Sequence, residues 1–128
     1  MTLMSDEFAE NLGGEPAAVV ALTTVGADFD AIGMARTLVE RGLASCVNVL
    51  PGATSVYRWE GKINADPEQQ LIIKTTAGRV ASLSAAIHEL HPYDIPEFIV
   101  LPVVGGSEKY LNYLRQGEDY LKSLKELE

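Results

Sequence analysis

The sequence predicts an α+β sandwich in which four strands and two helices follow the order β-α-β-β-α-β. Three observations support this: 128 residues suit one domain, two stretches repeat apolar residues at spacings of three and four, and four β-branched runs flank them. With right-handed crossovers, this order is the ferredoxin-like split unit, whose helices cover one face of an antiparallel sheet. We expect one domain over residues 16–128, preceded by a flexible, acidic tail over residues 1–15.

The first strand and helix are marked by a change of apolar pattern. The run AAVVALTT, from Ala17, is short, continuous and β-branched, which predicts a strand buried on both faces. Asp28 or Asp30 can then cap a helix, whose apolar positions recur until Gly42. The pattern predicts a helix over about residues 29–41.

The middle of the chain predicts a long β-hairpin. The segment LASCVNVLPGATSVYRWEGK is rich in residues that suit a pleated surface and is interrupted at Pro51-Gly52, so it predicts one long strand with a bend or bulge. The segment GKINADPE predicts a polar turn, and QQLIIKTT predicts the third strand, antiparallel to the second.

The last third of the chain completes the pattern. After Gly78, helical spacing predicts a second helix that ends near His91, followed by the proline-stiffened loop HPYDIP. The run EFIVLPVV predicts a fourth strand, and because Pro102 has no N–H to donate, this strand should lie at a sheet edge. Ser107 can cap a C-terminal helix, and DYLKSLKELE predicts a further short amphipathic piece.

Charge and cysteine content exclude several classes of partner. Ten Lys and Arg against eighteen Asp and Glu give a formal net charge of -8, which disfavours nucleic acid and anionic membranes and favours a cation or a basic protein surface. The single Cys46 rules out an intrachain disulfide, and no apolar run is long enough to span a bilayer. We therefore expect a cytoplasmic protein.

The length of the second strand favours self-assembly. Residues 43–60, if extended, would span roughly 60 Å, whereas a globule of this size has a radius of gyration of about 14 Å. An apolar strand edge of this length invites pairing with another copy of the chain, closed by symmetry. The alternative is that the strand folds back at Pro51-Gly52 and stays within its own subunit.

Two residues are candidate metal ligands. Copper(II) favours imidazole nitrogen and tolerates carboxylate, and copper(I) favours thiolate, so the candidates are His88, His91, Cys46 and nearby acids. His88 lies off the apolar stripe of its helix and is expected to be solvated, which leaves His91 and Cys46, with copper(II) or another divalent cation as the implied cofactor. The alternatives are that His91 only packs at the end of a helix and that Cys46 is a small buried hydrophobe.

Other residues are candidates for binding a small ligand. Lys74, between apolar neighbours, could bind an anion or pair with Glu97, or its stem could extend from the sheet to water. The aromatic residues Tyr57, Trp59 and Tyr93 could stack on a ligand or simply pack. No nucleophile stands beside an evident base, and no phosphate loop or paired-cysteine motif is present, so we do not expect an enzyme; Cys46-dependent catalysis is the weaker alternative.

Several motifs together resemble the CutA divalent-cation-tolerance family. The segments are LASCVNVLPGATSVYRWEGK, LIIKTT, HPYDIPEFIVLPV and YLNYL, and the resemblance covers about residues 17–116. It implies a tight, PII-like homotrimer in which each long hairpin adds strands to neighbouring sheets, and a role in tolerance to divalent metals, chiefly copper. Of the copper-ligand positions proposed in the family, His91 matches, whereas Leu90 and Thr23 occupy the other two.

The resemblance leads to two hypotheses of function. The first is a metal-binding trimer with clefts between subunits that are lined by Lys74, Tyr93, Glu97 and either His91 or Cys46. The second is a PII-like sensor that binds a small anionic ligand or a partner protein.

Overall fold

The computed structural model describes residues 17–127 and confirms the predicted order of elements. The predicted tail over residues 1–15 lies outside this range. The elements are β1 (Ala18–Gly26), α1 (Ala31–Glu40), β2 (Cys46–Trp59), β3 (Lys62–Thr76), a 3₁₀ helix (Ala77–Arg79), α2 (Val80–Leu90), β4 (Ile99–Pro102) and α3 (Glu108–Glu126).

The four strands form one antiparallel sheet with the order β2-β3-β1-β4. The edge strands are therefore β2 and β4, as the split-unit topology predicts, and Pro102 is the last residue of edge strand β4. Side chains of β1 alternate between fully and partly buried, so the expectation that β1 is buried on both faces is wrong for the single subunit. Only one face of the sheet is covered along β1, and the distal part of the hairpin extends beyond that cover.

The covered face packs against α1 and α2. Asp30 caps α1 because its Oδ1 accepts a hydrogen bond from the Gly33 N–H at 2.9 Å, and the chain leaves the helix through Gly42, whose φ is 74°. The main core lies between this layer and the sheet; its fully buried side chains include Ala21, Val25, Leu38, Leu71, Ile73, Leu83 and Ile87.

The β2-β3 hairpin is longer than the sequence pattern indicates. A bulge lies between Leu50 and Ala53, which confirms the predicted interruption at Pro51-Gly52. The turn is only two residues long, with Trp59 paired to Lys62 and positive φ at Glu60 (50°) and Gly61 (78°). Positive φ at both positions defines a type I′ turn, whose twist matches that of the strands, so pairing resumes immediately. The expectation of a polar turn over GKINADPE is therefore wrong.

The chain after Ser107 forms one continuous helix, so the prediction of two short pieces is also wrong. Ser107 caps α3 as expected, with its Oγ accepting from the Tyr110 N–H at 3.3 Å. The helix passes through Gly117 without a break, because burial of Leu111, Leu114 and Leu121 outweighs the helix cost of one glycine, about 1 kcal/mol.

A buried arginine fastens α3 to the sheet. The Arg79 side chain is 0% exposed and donates to the Leu114 carbonyl at 2.7 Å and to Ser45 Oγ at 2.9 Å. Its Nε donates to Thr76 Oγ1, which in turn donates to Glu118. Burial lowers the pKa of Arg79, and the nearby Glu118 carboxylate opposes that effect.

The sheet face opposite α1 and α2, here called the open face, is covered only at one end. There α3 packs on Ala18 through Leu111 and Leu114. Beyond α3 the open face carries partly buried and exposed apolar side chains: Val20, Leu22, Ile72, Leu50, Ile99 and Leu101. None of the helices found within residues 17–127 is long and apolar enough to cross a membrane.

Candidate functional site

A cleft of about 590 Å³ lies on the open face, where the hairpin leaves the body of the subunit. It is formed by the end of β1, the distal part of the hairpin and the loop between α2 and β4. Its lining residues are Thr24, Ser55, Tyr57, Trp59, Glu68, Tyr93, Asp94, Ile95 and Glu97. Four of the predicted ligand-binding residues therefore meet in one place: Tyr57, Trp59, Tyr93 and Glu97.

The register of the hairpin builds one wall of this cleft. Because side chains alternate along a strand, Ser55, Tyr57 and Trp59 share one face of β2. The cross-strand partner of Ser55 is Asp66, and Ala53 pairs with Glu68, so both carboxylates lie on the same face of β3. The two-residue turn thus places aromatic and acidic side chains side by side.

Glu68 is the most buried charged residue of the cleft, at 7% exposed. Its Oε2 accepts a hydrogen bond from the Tyr93 hydroxyl at 2.9 Å. No Lys or Arg within residues 17–127 lies within ion-pair distance of it; the ion pair found there joins Arg41 and Glu89 on the surface. Buried carboxylates are normally paired with a cation or bound to a metal, and in the described part of the chain Glu68 has a hydrogen bond from Tyr93 but no cation.

Two phenol groups of the cleft donate hydrogen bonds to carboxylates. The Tyr57 hydroxyl donates to Asp66 Oδ2, and this hydrogen bond is the main cause that raises the pKa of Tyr57. Burial, followed by the hydrogen bond to Glu68, raises the pKa of Tyr93 to about 12. Both phenols are therefore protonated donors at neutral pH, and their rings are fixed by these bonds.

His91 supports Tyr93 from behind the cleft. Its Nδ1 accepts from the Tyr93 N–H at 3.1 Å, so the ring proton lies on Nε2, which donates to the Thr24 carbonyl at 2.7 Å. The two rings are 4.9 Å apart, and His91 is 7% exposed. Both ring nitrogens are thus engaged within the subunit, and a metal at His91 would have to displace one of these bonds.

Cys46 and Lys74 lie at the other end of the open face. They are cross-strand neighbours, and Lys74 Nζ lies 5.7 Å from the centre of the Tyr110 ring, under α3. Lys74 lies six positions along β3 from Glu68, which corresponds to about 20 Å. Lys74 is not among the residues that line the cleft of a single subunit, so its grouping with Tyr93 and Glu97 in a cleft between subunits stays a prediction.

The acidic residues of the cleft do not form a complete metal site. Glu68, Asp94 and Glu97 line it, yet residues 17–127 contain no group of three or more His, Cys, Asp or Glu side chains placed to hold one ion. A divalent cation needs four or more ligands, so a single subunit supplies only part of a coordination shell.

Glu68 and Thr24 are cleft residues that the sequence pattern does not reveal. Glu68 falls in the segment predicted to be a turn, where an acidic side chain is expected to be solvated. Recognition of Glu60-Gly61 as a two-residue turn would have fixed the register and brought Glu68 to the face of Tyr57. The place of Thr24 in the cleft depends on the path of the loop after α2, and no local sequence pattern specifies that path.

These features define a class: ferredoxin-like α+β subunits that carry a long hairpin and a ligand-sized cleft at its base. The model of the family described as CutA1 divalent ion tolerance protein matches residues 19–117. The chain belongs to the CutA1 divalent ion tolerance family, as the sequence motifs indicate.

Individual relatives agree with this assignment. The divalent-cation tolerance protein CutA of Thermus thermophilus is 43% identical over 97 residues, which cover 76% of this chain and 94% of that protein. The crystal structure of CutA1 from Oryza sativa superposes with a TM-score of 0.76 at 40% identity, covering 79% of this chain and 93% of that one. A PII-like protein CutA from Nostoc, in apo form, has a TM-score of 0.72 at 32% identity and covers 77% of this chain and 95% of that one.

Proposed function

We propose that this chain is a homotrimeric divalent-cation-tolerance protein that binds copper(II) or another divalent cation at the cleft and takes part in the response to metal ions. The observation that carries the proposal is the nearly buried, cation-free carboxylate of Glu68, with Asp94 and Glu97 on the same cleft. The net charge of -8 adds a field that attracts cations. The names of the relatives, which refer to divalent-cation tolerance, support the same function.

A trimer would complete the partial coordination shell. The hairpin face opposite the cleft exposes Val56 and Ile63, each 68% exposed, beyond the end of the helix layer. Exposed apolar residues on a long arm, together with the apolar open face, favour burial against further copies of the chain. Such contacts would place each cleft near a subunit boundary, where a second subunit can supply ligands. His91 and Cys46 remain candidate ligands in this proposal.

Calorimetric titration with copper(II) tests the metal site. Wild type, Glu68→Gln and His91→Gln are titrated, and the mass of each sample is measured by light scattering. We expect binding to a species of three chains, lost in Glu68→Gln and retained in His91→Gln. Loss of copper(II) binding only in His91→Gln would place the site at the histidine. No heat of binding from an intact trimer would refute copper binding.

A second candidate function is a PII-like sensor of small anions. It rests on Lys74, a partly buried cation that has no carboxylate of residues 17–127 within ion-pair distance. A screen of inorganic phosphate and nucleotides by thermal shift tests it, since a ligand that binds only the native state raises the melting temperature. A shift that disappears in Lys74→Met would support this function, and no shift from any anion would dismiss it.

Catalysis by Cys46 is the weakest alternative. Cys46 is partly buried beside Lys74, and we assign it no catalytic role. A thiol-reactive probe tests this directly: rapid modification of the native protein would reopen the question, and protection until unfolding would close it.

The cytoplasm is the proposed compartment. A single free cysteine suits a reducing environment. The relative from Arabidopsis thaliana is named as chloroplastic, so compartments differ among relatives and cell fractionation is the appropriate test.

A further inference from the structure

We infer that the cleft, besides the divalent cation proposed above, also accepts an organic ammonium ion, a positively charged amine on an apolar body. This inference rests on the proposed function only in that the cleft at Glu68 binds a cation. It differs in the chemical class of that cation. Size, aromatic lining and charge each support it.

The size of the cleft suits an organic molecule. Its volume of about 590 Å³ far exceeds the space of a single ion and falls within the usual range for small-molecule sites. The acidic side chains are spread over this volume, and in the described part of the chain they do not converge on one point. A ligand with a body as well as a charge would use the space that a metal ion leaves empty.

The lining is that of a cation–π site. Tyr57, Trp59 and Tyr93 all border the cleft, and their rings attract a cation held above the ring face. Tyr57 and Tyr93 each donate a hydrogen bond from the hydroxyl to a carboxylate. These bonds fix the orientation of the rings and polarise them toward greater negative charge. Aromatic faces add little to coordination of a divalent metal, which prefers oxygen, nitrogen and sulfur ligands.

The position of the charges suits an ammonium head group. Glu68 accepts one hydrogen bond from Tyr93 and has no cationic partner among residues 17–127, so it can accept another from an N⁺–H donor. Asp94 and Glu97, on the loop after α2, add negative charge to the same cleft. An ammonium ion would supply the missing partner of Glu68 and place its apolar body against the rings.

The fluorescence of Trp59 provides a direct test, because it is the only tryptophan of the chain and lines the cleft. The assembled full-length protein is titrated with n-butylammonium and, as a neutral control of equal heavy-atom number, with 1-butanol. The variants are Glu68→Gln and Tyr57→Leu, with Tyr120→Leu, an exposed tyrosine of α3, as the matched control.

We expect n-butylammonium to change the fluorescence in a saturable way and 1-butanol to leave it unchanged. The dissociation constant should rise at least about tenfold in Glu68→Gln and about three- to thirtyfold in Tyr57→Leu, and stay unchanged in Tyr120→Leu. Equal responses to the two probes, or full affinity in Glu68→Gln, would overturn the inference.

Calorimetry with copper(II) on the same samples separates this inference from the proposed metal site. Binding of copper(II) that requires Glu68, without a response to n-butylammonium, would overturn the ammonium inference and leave the metal proposal intact. Binding of n-butylammonium without binding of copper(II) would support the inference and refute the metal. If neither copper(II) nor n-butylammonium binds, both the metal proposal and the ammonium inference are overturned.

Discussion

Two buried threonines, one on β1 and one on β3, differ in whether the side-chain hydroxyl has a hydrogen-bond partner. Thr23 and Thr75 are both 0% exposed, and Thr75 Oγ1 donates to the Leu43 carbonyl at 2.8 Å. Thr23 Oγ1 has no hydrogen-bond partner among the residues that the structure describes. An unpaired buried hydroxyl lowers stability, whereas a paired one contributes to it.

We predict opposite effects of the same substitution at these positions. Thr23→Val should raise the free energy of unfolding by about 1 kcal/mol, because it removes an unsatisfied polar atom at nearly constant shape. Thr75→Val should lower it by about 1 to 2 kcal/mol, because the Leu43 carbonyl loses its donor. Urea denaturation of both variants measures the difference, and equal destabilisation would show that Thr23 has a partner in the assembled protein.

The hydrogen bond between Tyr93 and Glu68 predicts a loss of stability in alkaline solution. Burial and Glu68 raise the pKa of Tyr93 from 10.0 to about 12 in the folded state. A raised folded-state pKa stabilises the protein below the unfolded value, and this contribution is lost as the pH rises from about 10 to about 12. The melting temperature of Tyr93→Phe should therefore fall less steeply across this window than that of wild type. Parallel curves would show that Tyr93 ionises normally.

Four of the residues that line the cleft could be selected by residue type, whereas Glu68 could not. Tyr57, Trp59, Tyr93 and Glu97 are unusual enough for strand and loop positions to be selected from sequence alone. Glu68 was not selectable, because its burial depends on a turn geometry set by positive φ at Glu60, a residue type that rarely adopts it. Lys74, which the sequence also selects, lies about 20 Å along β3 from Glu68 in the cleft.

At the scale of elements, α3 depends on a close contact at Gly117. A Cβ placed there would lie 2.3 Å from Arg79 Nη1 and 2.6 Å from Ser45 Oγ. Arg79 cannot easily move aside, because it is fully buried and its hydrogen bonds hold it to Leu114 and Thr76. The glycine is therefore required by packing rather than by helix formation.

We predict that Gly117→Ala destabilises the protein although alanine favours helices. Helix propensity should contribute about 1 kcal/mol in favour of the variant, and overpacking should cost about 2 to 3 kcal/mol, the upper part of its usual range because the contact is with a fully buried side chain, for a net loss of about 1 to 2 kcal/mol. The exposed neighbour Gln116→Ala, on the same helix, is the control and should cause no loss. Chemical denaturation measures both, and a stabilised Gly117→Ala would contradict the contact.

Elements that depend on local sequence patterns were predicted well, and elements that depend on turn geometry or distant contacts were not. The bounds of α1 and α2 and the bulge after Leu50 follow from local patterns, and the sequence predicts them closely. The continuity of α3 depends on tertiary burial of Leu111, Leu114 and Leu121, whereas the gap in its apolar pattern around Gly117 suggested two pieces. The early start of β3 depends on the two-residue turn at Glu60-Gly61, which is not one of the commonest turn sequences.

At the scale of the whole molecule, the exposed hairpin predicts an assembly that a charge can disrupt. We expect wild type to have the mass of three chains by light scattering. Ile63→Glu, on the face shared with Val56, should shift the mass toward one chain, because a buried charge would oppose association. Ala81→Glu, exposed on α2, is the control and should keep the wild-type mass. An unchanged mass in Ile63→Glu would contradict burial of this face.

The β-α-β-β-α-β order and the family followed from sequence, because apolar periodicity and a set of spaced motifs both act over most of the chain. How the open face is covered could not be derived in the same way. An apolar face predicts that something packs on it, but the partner, the register and the ligand are properties of the assembled protein.

The most direct test of the account is the melting temperature of wild type and Glu68→Gln, each with and without copper(II) and n-butylammonium. If the buried carboxylate of Glu68 is a cation-binding group, the glutamine variant without ligand should melt at or above the wild-type temperature. Tyr93 can still donate a hydrogen bond to the amide oxygen of the variant. The rise that a cation produces in wild type should disappear in the variant. A variant that melts well below wild type yet keeps the full cation-induced rise would contradict the central claim.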